Sequence, residues 1–151
     1  LVQIFAGIAV VVSLIYVGLQ VKQNTQALRL NAQHEASSDF IQLQYVLAQN
    51  GELMEIVMRS ETEPESLNDL ERRRAWVLVD SMFELVNTNF YQSQTRVLPD
   101  YQWNPIVRDF RQIVTLPIYQ EVWSARKHAY SDEFQTFIDQ LIKKGATSWN
   151  H

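Results

Sequence analysis

Residues 1–21 read LVQIFAGIAVVVSLIYVGLQV, and the first charged side chain of the chain is Lys22. A helix rises about 1.5 Å per residue, so roughly 20 such residues cover the ~30 Å hydrocarbon core of a bilayer. The stretch therefore predicts one N-terminal transmembrane helix. Two other readings fit less well. A secretory signal has an apolar core of about 7–15 residues followed by a small-x-small cleavage site. This run is longer, and its exit, VGLQVKQNT, offers no such site. A buried helix of a water-soluble protein usually keeps a polar edge, whereas Gln3 and Gln20 sit at the two ends of the run.

Beyond Val21 the chain turns polar without a break, and no proline or glycine occurs before Gly51. Val21, Leu28, Ala32, Ala36, Phe40 (or Leu43) and Leu47 keep helical spacing. The spacing predicts that the membrane helix runs on as a stalk over 22–50, with Asn24-Thr25 or Ser37-Ser38 as candidate bends. Asn50-Gly51 is the first strong stop.

Residues 51–151 read as a helical bundle. An apolar-faced helix is expected over 52–60. Thr62-x-x-Glu65 has capping-box spacing, with Pro64 suited to a first turn. A long helix is expected over 66–96, in which Trp76, Val79, Phe83, Val86 and Phe90 form one apolar stripe. Asp80, Glu84, Asn87 and Tyr91 run beside it as a more polar one. Leu98-Pro99-Asp100 breaks this helix. Shorter helices follow from Pro105, from Pro117 and over 132–144. Ser131 is the expected N-cap of the last and Gly145 its expected terminator. No segment alternates with period two, so the expected fold class is all-α.

The segment VVVSLIYVGLQVKQNTQALR, residues 10–29, resembles a recurrent opening in uncharacterised bacterial proteins. Those proteins carry one N-terminal membrane helix with a similar Ile-Tyr…Gln-x-Arg/Lys-Gln-Asn-Thr exit, then a helical domain. Trp123 and the later Tyr130-Ser-Asp-Glu-Phe134 are similar to the C-terminal part of the same family. The resemblance implies a membrane-anchored helical protein of bacterial type, set in the inner membrane. It implies no activity and no catalytic residue.

Composition narrows the chemistry. The net charge of −4 disfavours nucleic acid as a main partner. The absence of cysteine removes disulfides, thiolate metal sites and Cys nucleophiles together. His34, His128 and His151 belong to no metal-binding spacing, so no metal and no cofactor is expected. Arg29 and His34 have an Arg-x4-His spacing that resembles the motif of HEPN-type ribonucleases, where Arg would stabilise phosphate charge and His would move a proton. Chance spacing on a solvated stalk explains the pair more simply. Asp80, Glu84 and Asn87 form a candidate polar pocket, with Trp76 beside it. Two close carboxylates can divide acid and base roles, but such a line more often packs against arginines such as Arg72, Arg73 and Arg74 or Arg108 and Arg111. The four tryptophans, Trp76, Trp103, Trp123 and Trp149, read as core or interface anchors.

No active site emerges, and the chain is not expected to be an enzyme. The leading expectation is a membrane-anchored interaction protein, an accessory or scaffold subunit of a larger membrane complex. A membrane-tethered ligand sensor is the alternative, and a HEPN-like ribonuclease a remote one. Ala6, Ala9 and Ser13 place small side chains on one face of the membrane helix. That face is expected to meet a helix of another membrane protein or of a second copy. Lys22 and Arg29 follow the span before any acid, so the positive-inside rule puts the C-terminal domain in the cytoplasm.

Overall fold

The computed structural model describes residues 2–148, without the side chains of 2–10, 32–33, 35–37, 40 and 146–148. Six α-helices follow in order: α1 (Val2–Gln49), α2 (Gly51–Thr62), α3 (Asp69–Gln94), α4 (Asp100–Ile113), α5 (Pro117–Arg126) and α6 (Asp132–Ser148). Short 3-10 turns over Pro64–Ser66 and Lys127–Ala129 join α2 to α3 and α5 to α6. No strand occurs among the described residues. The fold is all-α.

α1 runs without a break at either candidate bend. It ends where Asn50 takes over as N-cap of α2, its side chain accepting from the Leu53 N–H at 3.1 Å. The expected box at Thr62 and Glu65 does not form. Pro64 opens a 3-10 turn instead. The box closes six residues later, where an equivalent spacing recurs at Asn68-x-x-Glu71. The Asn68 side chain accepts from the Glu71 N–H at 3.0 Å, and the Glu71 carboxylate accepts from the Asn68 N–H at 2.9 Å. Arg59 on α2 decides between the two positions. It donates to Glu71 at 2.5 Å and to the Ser66 carbonyl at 3.3 Å, tying the end of α2 to the start of α3.

α3 is the central helix and touches α1, α2, α4 and α5. Its apolar stripe faces the core in the expected register: Val79, Phe83, Val86 and Phe90 are buried, and Trp76 is half-buried against them. Phe83 is fully buried. It stacks on Trp123 of α5 at 5.2 Å and meets Phe110 of α4 edge-on at 5.4 Å. At the other end of the stripe Phe90 meets Phe134 of α6 edge-on at 5.5 Å and lies tilted against Phe137 at 4.9 Å. α3 closes with Arg96 at φ 57°, in the left-handed region, and the Val97 N–H reaching back to the Gln92 carbonyl at 2.9 Å. This is a Schellman end with arginine where glycine is usual.

Two expected boundaries are corrected. α4 starts at Asp100 rather than Pro105, which lies inside it on the exposed side. Packing explains the extra turn: Trp103 stacks at 5.6 Å on Phe137, and that contact outweighs the one backbone hydrogen bond that Pro105 cannot donate. Gly145 does not end α6, which continues to Ser148. No described glycine has a positive φ. Gly145 is buried where α6 crosses α4. A Cβ there would come within 2.5 Å of Thr115 Cγ2 and 3.0 Å of the Arg111 carbonyl oxygen. Close helix approach, not a C-cap, requires glycine at this position.

Candidate functional site

The polar stripe of α3 is a seam that holds the α5–α6 connection. Arg126, at the end of α5, donates to Asp80 at 3.0 Å and lies 3.9 Å from Glu84. The Tyr130 hydroxyl donates to Glu84 at 3.0 Å. Tyr91 shares a hydrogen bond with Ser131, the residue that caps α6 by accepting from the Phe134 N–H at 3.3 Å. These three α3 side chains stand four and seven residues apart along one side of the helix, so they grip successive parts of the 126–131 segment. Burial raises the Tyr130 phenol above its ordinary value, and the hydrogen bond to Glu84 adds to the shift. The bond to Asp80 raises the Arg126 guanidinium in the same way.

The sequence singled out Asp80, Glu84 and Asn87 but assigned their partners to other arginines. Arg72 instead pairs with Glu121 at 2.7 Å, and Arg108 with its neighbour Asp109 at 3.3 Å. Arg126 and Tyr130 were missed because the 46-residue separation from Asp80 and Glu84 hides the contact. Asn87 is half-buried, and its side-chain oxygen finds no protein partner. The three residues do not share a cavity with Trp76. Glu84 borders an open groove of about 500 Å³ between α1 and α3, opposite Asp39 and Val46. Trp76 lines a separate one of about 210 Å³ beside Arg72 and Glu121, with the Arg73 guanidinium 5.0 Å above its ring. Of the other tryptophans, Trp123 is buried and donates to Asp139 at 2.8 Å, and Trp149 lies outside the described residues.

α1 poses the larger question. Among the described side chains of α1, those that are half-buried lie in its last turns: Leu43 and Leu47, with Leu43 packed against the core. Every residue from 11 to 31 is exposed. Val12, Leu14, Ile15 and Tyr16 expose 59–66% of their surface. Among the described residues no helix is long and apolar enough to cross a membrane. The predicted span reaches back to Leu1, and its first ten side chains, including Ala6 and Ala9, lie outside the described residues. Ser13 is exposed.

Arg29 and His34 both lie exposed on α1. Five residues on a helix turn about 140° around its axis, so the two point to different sides of α1. Among the described residues no group of three or more His, Asp or Glu side chains is placed to hold a metal ion.

No family model, curated protein or solved structure matches this chain.

Proposed function

We propose that the chain is a membrane-anchored helical interaction protein, an accessory or scaffold subunit of a bacterial inner-membrane complex. Residues 1–21 form the transmembrane anchor, 22–50 the stalk and 51–151 the domain that docks on partners from the cytoplasmic side. One observation carries the reading: α1 projects from the bundle with Val11, Val12, Leu14, Ile15, Val17 and Leu19 each about half exposed or more. A helix that is apolar all round belongs in a core or a membrane, because water gains nothing from such a surface. Among the described residues no element covers it, and the bilayer is the environment that suits such a surface.

The resemblance to anchored bacterial proteins supports the same reading, as does the positive charge of Lys22 and Arg29 just beyond the span. The open groove between α1 and α3 favours a second reading, a tethered sensor that binds its ligand there.

Carbonate extraction of native membranes tests the anchor. The wild-type chain is expected to stay with the pellet. Val12→Arg, at the centre of the run, should impair insertion by about 2.5–3.5 kcal/mol. A wild-type chain that washes into the supernatant refutes the anchor. A periplasm-dependent reporter fused after His151 is expected to be inactive, and its activity would reverse the orientation.

A further inference from the structure

We propose that the groove where α1, α2 and α3 meet binds a free amphiphilic carboxylate, its head group on Arg73 and its aliphatic chain along Val77 and Leu78. This groove is not the one beside Glu84, although Leu43 and Ser81 border both. Binding here does not depend on the anchor proposed above, so the carbonate extraction and the dialysis described below fail independently.

The groove has the size and lining of a small-molecule site. Its volume is about 520 Å³, within the ~300–1,000 Å³ of such sites. Three helices supply aliphatic walls: Leu43 from α1, Leu53 from α2, and Val77 and Leu78 from α3. Leu43, Leu53 and Leu78 are half-buried and Val77 is 50% exposed. A bound hydrocarbon chain therefore removes apolar surface that the fold itself leaves in water.

Charge selects the head group. Arg72, Arg73 and Arg74 are consecutive, but only the outer two are matched. Arg72 pairs with Glu121 at 2.7 Å and Arg74 with Glu52 at 2.6 Å, each on another helix. Among the described residues no carboxylate pairs with Arg73, whose guanidinium lies 5.0 Å from the centre of the Trp76 ring. Asp69, one turn before it, borders the neighbouring cleft and forms no ion pair with it. Glu52, the one carboxylate in the groove lining, is the one that Arg74 neutralises. One unmatched positive charge is left at the groove. A cation held over an aromatic ring is oriented without using up its N–H donors. The planar fork of those donors fits the two oxygens of a carboxylate.

Position sets the order of head and tail. Arg73, Val77 and Ser81 stand four residues apart on one side of α3, as do Arg74 and Leu78. The arginines thus lie at one end, and the aliphatic floor begins one turn further on. From Arg73 to Ser81 the helix rises about 12 Å. A peptide helix suits this site less well, because its anchors at i, i+3, i+4 and i+7 spread over ~800 Å² per partner, more than four aliphatic side chains offer. The proposed anchor would end the bilayer about 33 Å along α1 from Leu43, so the ligand reaches the groove from solution rather than as membrane lipid.

Equilibrium dialysis tests the site with radiolabelled decanoate, whose extended chain is about as long as the groove floor. The full-length chain is held in phosphatidylcholine nanodiscs, and empty nanodiscs give the partitioning background. One decanoate per chain is expected to bind above that background. Arg73→Gln should weaken binding about tenfold, the loss expected for a hydrogen-bonded charge. Arg72→Gln removes the same charge outside the groove and should leave binding unchanged. Val77→Glu should also weaken it about tenfold, by setting a like charge under the chain. Arg73 and Val77 are both exposed, so neither substitution opens the core. Decanol, with the same chain and no charge, should bind at least about tenfold more weakly. No binding above background, or equal binding by wild type and Arg73→Gln, overturns the proposal. Equal losses from Arg72→Gln and Arg73→Gln replace the site with general charge attraction and overturn it as well. Unchanged binding by Val77→Glu overturns the placement of the chain, and decanol bound as tightly as decanoate overturns the carboxylate.

Discussion

Replacing Gly145 with alanine tests the packing of the last helix with a single methyl group. Two effects oppose each other. Alanine is favoured over glycine inside a helix by about 1 kcal/mol, and α6 is helical on both sides of this position. Against that, the new Cβ would lie 2.5 Å from Thr115 Cγ2 and 3.0 Å from the Arg111 carbonyl oxygen. The first contact is with a short β-branched side chain that turns stiffly about χ1, and the second is with backbone, so neither can yield cheaply. Overpacking of this kind costs about 1–3 kcal/mol, together with the separation of α6 from α4. The clash should offset the helix gain or exceed it, leaving Gly145→Ala less stable by up to about 2 kcal/mol. Guanidinium melts of the full chain in mild detergent provide the assay. Tryptophan fluorescence follows unfolding, because Trp123 is buried against Phe83. Thr115→Ser removes the clashing methyl yet keeps a hydroxyl for the hydrogen bond to the Gln112 carbonyl. In the Gly145→Ala background it should recover at least about 0.5 kcal/mol, the lower bound of coupling between residues in contact. A Gly145→Ala chain more stable than wild type by about 1 kcal/mol, the unopposed helix gain, would refute the close approach. A destabilised one that Thr115→Ser cannot help would shift the cause to the Arg111 carbonyl or to the helix end.

Phe83→Ala should cost about 3–5 kcal/mol in the same melts, because Phe83 is wholly buried among Phe110, Tyr119 and Trp123; a loss below about 1 kcal/mol would break the helical register assigned to α3. Arg96→Gly should stabilise by about 0.5–1 kcal/mol, since glycine adopts the left-handed φ of 57° without strain, and a lowered denaturation midpoint would count against the Schellman end. The Glu71 carboxyl is held below its ordinary 4.5 by the Asn68 backbone N–H first and Arg59 second. Its contribution is therefore full above pH 4.5 and lost as pH falls through the lowered folded value, so Glu71→Gln should flatten that part of the stability curve; an unchanged acid limb would exclude it.

What the sequence determined by itself is local and periodic. The apolar stripe of α3 was readable because a period of 3.6 is written into the side chains Val79, Phe83, Val86 and Phe90. The Ser131 cap was readable because a cap involves residues three apart. The stop at Asn50 was readable from the glycine beside it, although Gly51 opens α2 and Asn50 caps that helix. The charge-free run before Lys22 needs no fold at all to be seen. Where two local signals competed, tertiary contact chose. Thr62-x-x-Glu65 and Asn68-x-x-Glu71 carry equivalent spacing, and the reach of Arg59 from α2 selected the second. Pro105 looked like a helix start until Trp103 stacked on Phe137 and drew the helix back to Asp100. Gly145 looked like a terminator until α4 came close enough to forbid a side chain. The candidate polar site shows the same division. Asp80 and Glu84 stood out in sequence as a polar line, but their partners Arg126 and Tyr130 lie 46 residues away, and only folding brings them within 3.0 Å. Hydrogen bonds and close contacts fall off within a few ångströms in space, whatever the separation along the chain, so the tertiary structure alone could decide which charges meet and which glycine has no room for a methyl.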